Sequence, residues 1–177
     1  MPPVTPFTSR MRQSLRTDLL DAAADLLPTK GASGLRMAEV ATRAGVSRQT
    51  IYNEFGNKDA LVQAVSDRIA EEFLLGMDTR LRAQSDPVTG MRTATRYTLD
   101  HARENPLVTA MLTSPAAADL LPYVTTKGAP LIRSATEITT RYLRERLPQL
   151  SEHLAALLAE SASRLVLSHL VLPTSSP

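Results

Sequence analysis

Residues 37–58 read MAEVATRAGVSRQTIYNEFGNK, and the architecture of the chain follows from this stretch. Apolar side chains recur at helical spacing in two short segments, residues 37–44 and 48–54, with Gly45 between them. A glycine adopts the left-handed conformation that a helix end requires, and Ser47 is a residue type that caps a helix start. The stretch therefore predicts two short helices joined by a tight turn.

The apolar positions predict how these two helices pack. The side chains spaced to pack them on each other and on a preceding helix are Val40, Ala41, Val46, Ile51 and Phe55. Ala41 is small, as the crossing of two helices requires. A tight helix pair of this kind can place its second member in the major groove of DNA, which is about 12 Å wide. The same pair also occurs as a simple packing unit, and that alternative stays open at this point.

The other face of the second helix carries side chains suited to DNA. Arg48 can bridge O6 and N7 of guanine, and Gln49 or Asn53 can bridge N6 and N7 of adenine. The methyl group of Thr50 can contact thymine, and the hydroxyl of Tyr52 suits a phosphate oxygen. This face is a candidate DNA-binding surface, although a polar helix face can also be merely solvated.

The run AEVATRAGVSRQTIYNEFGNKDALV resembles the helix-turn-helix signature of the TetR family of bacterial repressors. The features that match are Ala41, the turn at Gly45 and Val46, the segment 50–55 with its Thr-x-Tyr-x-x-Phe pattern, and Lys58. Together with the preceding helix, the resemblance covers about residues 12–65. It implies a homodimer that binds double-stranded, palindromic operator DNA.

The resemblance also assigns roles to single residues. It implies that phosphates are held by Thr50, Tyr52 and Lys58, and that base edges are faced by Ser47, Arg48, Gln49 and Asn53. Two positions depart from the family, which often has threonine at position 37 and histidine at position 54. Met37 would lose one neutral contact. Glu54 would be repelled by DNA unless it accepts a hydrogen bond from cytosine or pairs with a nearby Arg or Lys, so neither residue is included in the predicted site.

The remaining chain predicts an all-α fold of about nine helices, since no strand-like alternation is present. A first helix over residues 12–27 should end at Pro28 and Gly31, and a long fourth helix should follow the cap at Asn57. This fourth helix would join a helix-turn-helix DNA-binding domain, residues 1–60, to a helical bundle for ligand binding and dimerisation, residues 61–177. The irregular tracts are residues 2–8 and 173–177.

Composition excludes several classes of protein. The chain has no cysteine and three histidines, so a disulfide framework is absent and a metal site is not expected. No secretory signal, membrane span or cofactor is expected either, and the predicted location is the cytoplasm. The formal net charge is only +2, and the whole excess of positive charge falls within residues 1–60. Arg10, Arg12 and Arg16 could meet phosphates at the entrance to the first helix, or could simply be solvated.

In the TetR family the C-terminal bundle dimerises and holds a small inducer. The residues expected near a ligand cavity are Phe73, Met77, Met91, Tyr97, His101, Met111 and Tyr123. Methionine suits elongated or variable apolar ligands, and the low aromatic content argues against stacking of a planar compound, so an apolar inducer is expected. His101, with Glu104 three residues on, could bind a polar end of the ligand. Each of these side chains could instead serve core packing.

The last two helices are the expected dimer interface. The residues proposed for it are Leu131, Ile138, Tyr142 and Leu143 on the first of them, and Leu154, Leu157, Leu158, Ser161, Leu165 and Leu172 on the second. The same leucine spacing would also suit a monomer core.

Two other classes of function remain as alternatives. One is a small-molecule-binding or interaction protein whose helix-turn-helix has lost DNA binding, suggested by Glu54 and the modest net charge. The other is an enzyme, which the sequence does not favour because its Ser, His and acidic residues form no nucleophile elbow, metal-binding helix or phosphate loop.

Overall fold

The structure, a computed structural model, describes residues 6–123 and 128–172, with side chains described from Arg10 onward. These residues form eight α-helices and one 3-10 helix, without a strand, which confirms the all-α prediction. In chain order the elements are α1 (Pro6–Gly34), α2 (Met37–Arg43), α3 (Arg48–Phe55), α4 (Lys58–Arg82), α5 (Pro87–Glu104), α6 (Pro106–Thr113), the 3-10 helix (Pro115–Tyr123), α7 (Ala129–Arg146) and α8 (Glu152–Val171).

The helix starts follow the capping residues in the sequence. The side-chain oxygens of Ser47, Asn57, Asp86, Asn105 and Ser151 each accept a hydrogen bond from a backbone N–H in the first turn of α3, α4, α5, α6 and α8. The prolines at the predicted breaks before α5 and α6 are the first residues of those helices, because a proline lacks only an N–H that would be unpaired there.

Helix α1 is longer than the sequence predicts at both ends. It begins at Pro6, so the expected irregular tract does not extend over residues 6–8, and it passes Pro28 before a kink at Gly31. The other predicted irregular residues, 2–5 and 173–177, lie outside the described part of the chain.

The continuation beyond Pro28 depends on a tertiary contact. The carboxylate of Asp119, in the 3-10 helix, accepts hydrogen bonds from the backbone N–H groups of Ala32 (3.0 Å) and Ser33 (2.7 Å). Gly31 has a φ of 64°, and a Cβ atom there would lie 2.2 Å from the carbonyl oxygen of Ala116. Only glycine fits both this conformation and this close approach. The 3-10 helix is therefore fastened to the end of α1.

Two apolar clusters form the core. The first joins α1, α2, α3 and the first half of α4 to α6 and the 3-10 helix, and includes Leu27, Val62 and Leu120. The second joins the second half of α4 to α5, α7 and α8. Helix α4 runs through both clusters. Because α6 and the 3-10 helix pack with the N-terminal helices, the first cluster takes in residues well beyond position 60.

Candidate DNA-binding surface and ligand cavity

Helices α2 and α3 form the predicted helix pair. Val40 and Ala41 of α2 and Ile51 and Phe55 of α3 are buried in the first cluster. The turn is closed by a hydrogen bond from the N–H of Val46 to the carbonyl oxygen of Ala41, at 2.9 Å. The buried face of α3 thereby fixes which of its side chains remain on the outside.

The side chains predicted to contact DNA lie on that outer side of α3. Arg48, Gln49, Tyr52 and Asn53 are exposed, and Thr50 is half-buried. The side-chain amide of Gln49 donates to Oδ1 of Asn53 at 2.8 Å, so the two amides proposed to read adenine already lie side by side. These four side chains are exposed in the described part of the chain, and their contact with DNA stays a prediction.

Ser47 is exposed and serves first as the cap of α3. Its Oγ accepts from the N–H of Thr50 at 3.1 Å and lies 2.8 Å from the hydroxyl of Thr50. Both hydroxyl groups are thus engaged at the start of the helix. Contacts of these two side chains with DNA would be additional to this structural role.

Lys58, the predicted phosphate ligand at the start of α4, is half-buried and turned towards the end of α1. Its Nζ donates to the carbonyl oxygen of Ser33 at 3.1 Å. Its charge also acts on Asp119. Desolvation raises the pKa of that carboxyl, but hydrogen bonds from Ser33 and Ala32 and the charge of Lys58 outweigh this effect and leave the pKa below its usual value. Lys58 therefore links the DNA-binding region to the 3-10 helix.

Glu54, which the sequence leaves as an obstacle to DNA binding, is neutralised by two arginines of α1. Its carboxylate accepts from Nε of Arg12 and from a terminal guanidinium nitrogen of Arg16, both at 3.0 Å, and only 9% of its side chain is exposed. The guanidinium of Arg16 also lies 4.7 Å from the centre of the Phe55 ring. Charge-assisted bonds of this kind hold α3 on α1 and remove the repulsion expected for an isolated carboxylate.

Met37, the second departure from the family, is 6% exposed and belongs to the first apolar cluster. Its side chain packs inside the protein rather than facing a phosphate. Arg12 and Arg16 are not among the predicted site residues, although the sequence suggested that they could meet phosphates or be solvated. The sequence feature that points to this pair is two positively charged residues four positions apart on α1.

A cavity of about 240 Å³ lies between α4, α5, α6, α7 and α8. Six of the seven residues predicted near a ligand line it, namely Phe73, Met77, Met91, His101, Met111 and Tyr123. Further apolar walls come from α7 and α8, for instance Leu131, Val166 and Leu170. Sequence periodicity alone assigned no residue of these two helices to the cavity.

Tyr97, the seventh residue, is not among the lining side chains. Its ring stacks on Phe73 with the centres 5.7 Å apart, and the guanidinium of Arg80 lies 3.8 Å from the centre of the Tyr97 ring. Its hydroxyl lies so close to Gly76 that a Cβ atom there would be 2.1 Å away. Tyr97 therefore supports the cavity wall from behind.

His101 is a titratable residue in the wall of this cavity, and its pKa is shifted. It is half-buried, and the centre of its ring lies 5.5 Å from that of Phe73 and 5.7 Å from that of Tyr97. Desolvation lowers its pKa and so favours the neutral ring, and the charge of Arg80 acts in the same direction, whereas Glu72 and Glu104 oppose it. Glu104 itself is exposed and does not line the cavity.

Helix α8 has two apolar faces. One face packs through Ala155 and Ala159 and lines the cavity. The opposite face leaves large side chains in solvent in the single chain, namely Leu154, Leu157, Leu158 and Leu165, and Leu172 directly after the helix is exposed as well; the exposed fractions are between 43% and 72%. A row of exposed leucines on one helix face is typical of a protein interface.

Helix α7 contributes less to this surface than the sequence suggests. Tyr142 is 3% and Leu143 is 6% exposed, and both belong to the second apolar cluster. The hydroxyl of Tyr142 donates to the carbonyl oxygens of Gln84 and Asp86. The expectation that these two residues form the dimer interface is therefore wrong, whereas Leu131 and Ile138 are half-buried.

By length and composition alone, α8 passes the test for a helix that could cross a membrane. One such helix is weak evidence for a membrane span, because the core helix of a soluble protein can pass the same test. On its inner face, α8 contacts α7 and α5 and lines the cavity.

An exposed, capped helix in a helix-turn-helix, joined by a long helix to a bundle with an internal cavity, defines a ligand-binding transcriptional regulator. Comparison with known proteins agrees. Residues 19–65 match the model of the tetR family of bacterial regulatory proteins, and residues 86–177 match that of a bacterial tetracyclin repressor C-terminal domain. The chain belongs to the TetR family of transcriptional regulators.

Individual relatives are similar over most of the chain. The HTH-type transcriptional regulator AlkX of Mycobacterium tuberculosis is 32% identical over 169 residues, which are 95% of this chain and 80% of that protein. The crystal structure of the TetR family repressor AlkX from Dietzia sp., implicated in biodegradation of n-alkanes, is 30% identical with a TM-score of 0.65, over 92% of this chain and 86% of that one.

A TetR-family regulator from Pectobacterium atrosepticum has the same fold, with a TM-score of 0.72 at 21% identity, over 92% of this chain and 82% of that one. The relatives are transcriptional regulators and none of those named is described as an enzyme.

Proposed function

We propose that the protein is a cytoplasmic repressor that binds a palindromic operator as a homodimer and is released by a small apolar inducer. The observation that carries this proposal is the outer face of α3, where Arg48, Gln49, Tyr52 and Asn53 are exposed on a helix held in place by its buried side. The named similarity to the Dietzia repressor AlkX supports repression as the mode of action. The site residues for DNA are those predicted above, with Arg12 and Arg16 added as phosphate ligands.

The proposed dimer forms through the exposed leucines of α8. Association of two copies about a two-fold axis would bury this face of one copy against the same face of the other. It would also present two α3 helices, one to each half-site. Because the inner face of α8 lines the cavity, a bound ligand would contact the helix that also holds the partner. We keep residues 1–60 and 61–177 as the DNA-binding and the ligand-binding and dimerisation domains within this proposal.

The 3-10 helix offers a route by which the cavity influences DNA binding. Tyr123, its last residue, lines the cavity, and Asp119 in the same helix holds the end of α1. The carbonyl oxygen of Ser33 in turn accepts from Lys58, the first residue of α4. A ligand that displaces the 3-10 helix would thereby change the position of the start of α4, which is the kind of shift that separates two recognition helices.

Exchange of backbone amide hydrogens tests the first link of this route. In the Asp119→Ala variant we expect the amides of Ala32 and Ser33 to exchange about 10- to 100-fold faster, because hydrogen bonds to a charged group contribute about 1.5–3 kcal/mol. Asp25→Ala is the matched control, since Asp25 on α1 pairs only with the exposed Arg43 in the described structure and caps no amide. Unchanged exchange at positions 32 and 33 would show that Asp119 does not hold α1.

Selection of genomic DNA fragments by the purified protein, followed by sequencing, tests the function itself. The expected result is a pair of inverted half-sites with a fixed spacing, as two-fold symmetry requires. If no fragment is retained even at low salt, the alternative of a binding protein that has lost DNA recognition would replace the proposal. The pairing of Glu54 with Arg12 and Arg16 removes one of the reasons for that alternative.

A further inference from the structure

The contact between α3 and the first turns of α1 brings two arginines to the proposed DNA-binding surface. Glu54 accepts from Nε of Arg12 at one carboxylate oxygen and from a terminal guanidinium nitrogen of Arg16 at the other. Glu54 follows Thr50 by four residues on α3, and side chains four apart lie on the same side of a helix. Because Thr50 is a predicted phosphate ligand, both guanidinium groups are bonded one helical turn beyond a predicted phosphate contact.

The carboxylate and the two arginines differ in exposure. Only 9% of the Glu54 side chain is exposed, against 72% for Arg12 and 45% for Arg16. The bond from Arg12 uses its Nε–H, which leaves the two terminal nitrogens of that guanidinium for another partner. A guanidinium can bind two oxygens of one phosphate through such nitrogens. The positive groups are therefore the solvent-facing part of this cluster, and the negative group is its covered part.

Two opposing effects decide how Glu54 acts on DNA binding. Its negative charge alone would weaken the attraction of this surface for phosphates. An unrestrained arginine side chain, however, loses conformational freedom when a phosphate fixes it, and this loss weakens binding. The bonds to Glu54 restrict both arginines before DNA arrives, and the guanidinium of Arg16 also lies over the Phe55 ring, 4.7 Å from its centre. The sign of the net effect shows which of the two dominates.

We propose that Glu54 is a positioning residue for DNA binding, which holds the guanidinium groups of Arg12 and Arg16 in place for operator phosphates and so raises affinity despite its own negative charge. This inference rests on the proposed function, in which α3 binds the operator. It gives an indirect role to a residue left out of the predicted site. The contribution of Glu54 depends on the two arginines and carries no information about base sequence.

Operator binding by the purified full-length Glu54→Gln variant tests the sign. Glutamine keeps the shape of the side chain and removes the charge that bonds the arginines. We expect affinity for the selected fragment to fall about three- to tenfold for each half-site, or about 10- to 100-fold for the dimer. Glu39→Gln is the matched control, because Glu39 on α2 pairs with Lys30 of α1 and neither residue is proposed to bind DNA. Its affinity should equal or slightly exceed that of the parent protein.

A duplex of unrelated sequence separates positioning from a structural role. Phosphate contacts are the same on every sequence, so Glu54→Gln should weaken binding to this duplex and to the operator by the same factor. If the bonds of Glu54 served only to hold α3 in place, the base contacts would suffer and the ratio of the two affinities would fall. A lower ratio, or a variant that has lost its helical circular dichroism, would assign Glu54 a structural role and overturn the inference.

The same substitution in an Arg12→Ala, Arg16→Ala background tests whether Glu54 acts through the arginines. Without them the carboxylate would be unpaired beside DNA, so Glu54→Gln should now raise affinity instead of lowering it. An equal loss in both backgrounds, or a gain already in the parent background, would contradict the inference and leave the proposed function standing. If the parent protein itself retains no DNA fragment, the proposed function fails and the inference fails with it.

Discussion

We expect the Leu158→Lys, Leu165→Lys double variant to be a monomer that no longer retains its operator. These two side chains lie seven residues apart on the exposed face of α8, 48% and 69% exposed in the single chain. Two lysines there would place four like charges across a two-fold interface, where they cannot be solvated. Loss of the second half-site contact should weaken operator binding by about 10²- to 10⁴-fold, the usual gain from linking two binding units.

Sedimentation analysis gives the mass, and a mobility shift gives the affinity for the operator. Val88→Lys is the matched control, because Val88 is 74% exposed at the start of α5, away from the leucine row. The control should remain a dimer with unchanged affinity. A double variant that stays dimeric would place the interface on another face of the protein.

The second large effect is expected from the Tyr52→Ala, Lys58→Ala double variant. Both side chains are proposed to hold phosphates, so operator affinity should fall about 100-fold, whatever the base sequence. The slope of log affinity against log salt should become shallower by about two for the dimer, because one cation is lost at each of the two half-sites and no longer releases counterions. Titration of the operator at several salt concentrations measures both quantities.

Arg103→Ala removes a positive charge from an exposed position of α5, which is not part of the helix-turn-helix. It should leave both the affinity and the salt slope nearly unchanged. Because Lys58 also bonds Ser33, the thermal midpoint of the double variant has to be compared with that of the parent protein. Unchanged operator binding in the double variant would contradict the proposed role of this surface.

Local sequence features predicted the helices well. Ser47, Asn57 and Asp86 are found at the helix starts where their side chains can cap, and apolar spacing located the buried side of α3. Caps and apolar spacing act over one or two helical turns, so the residues next to a position are sufficient to predict them. The exposed surface of Arg48 to Asn53 follows in the same way, since burying Ile51 and Phe55 leaves the opposite side outside.

Contacts between distant parts of the chain were not predictable in this way. Glu54 is paired with arginines about 40 residues earlier, and Asp119 holds the end of α1 from 86 and 87 residues further on. Such contacts depend on how helices cross, and the spacing of apolar residues within one helix does not specify that geometry. Pro28 therefore looked like the end of α1 when the chain was read locally.

The sequence also did not predict which apolar faces lie in the core and which remain exposed. Leu143 on α7 and Leu165 on α8 carry the same signal in the sequence, yet the first is buried in the core and the second is exposed. Helical periodicity states that a face is apolar, whereas the neighbouring helices determine what covers it. The sequence was thus sufficient for the helical class, for most helix starts, for the family and for the outer surface of α3. The packing of the helices settled which leucines remain exposed and where the cavity lies.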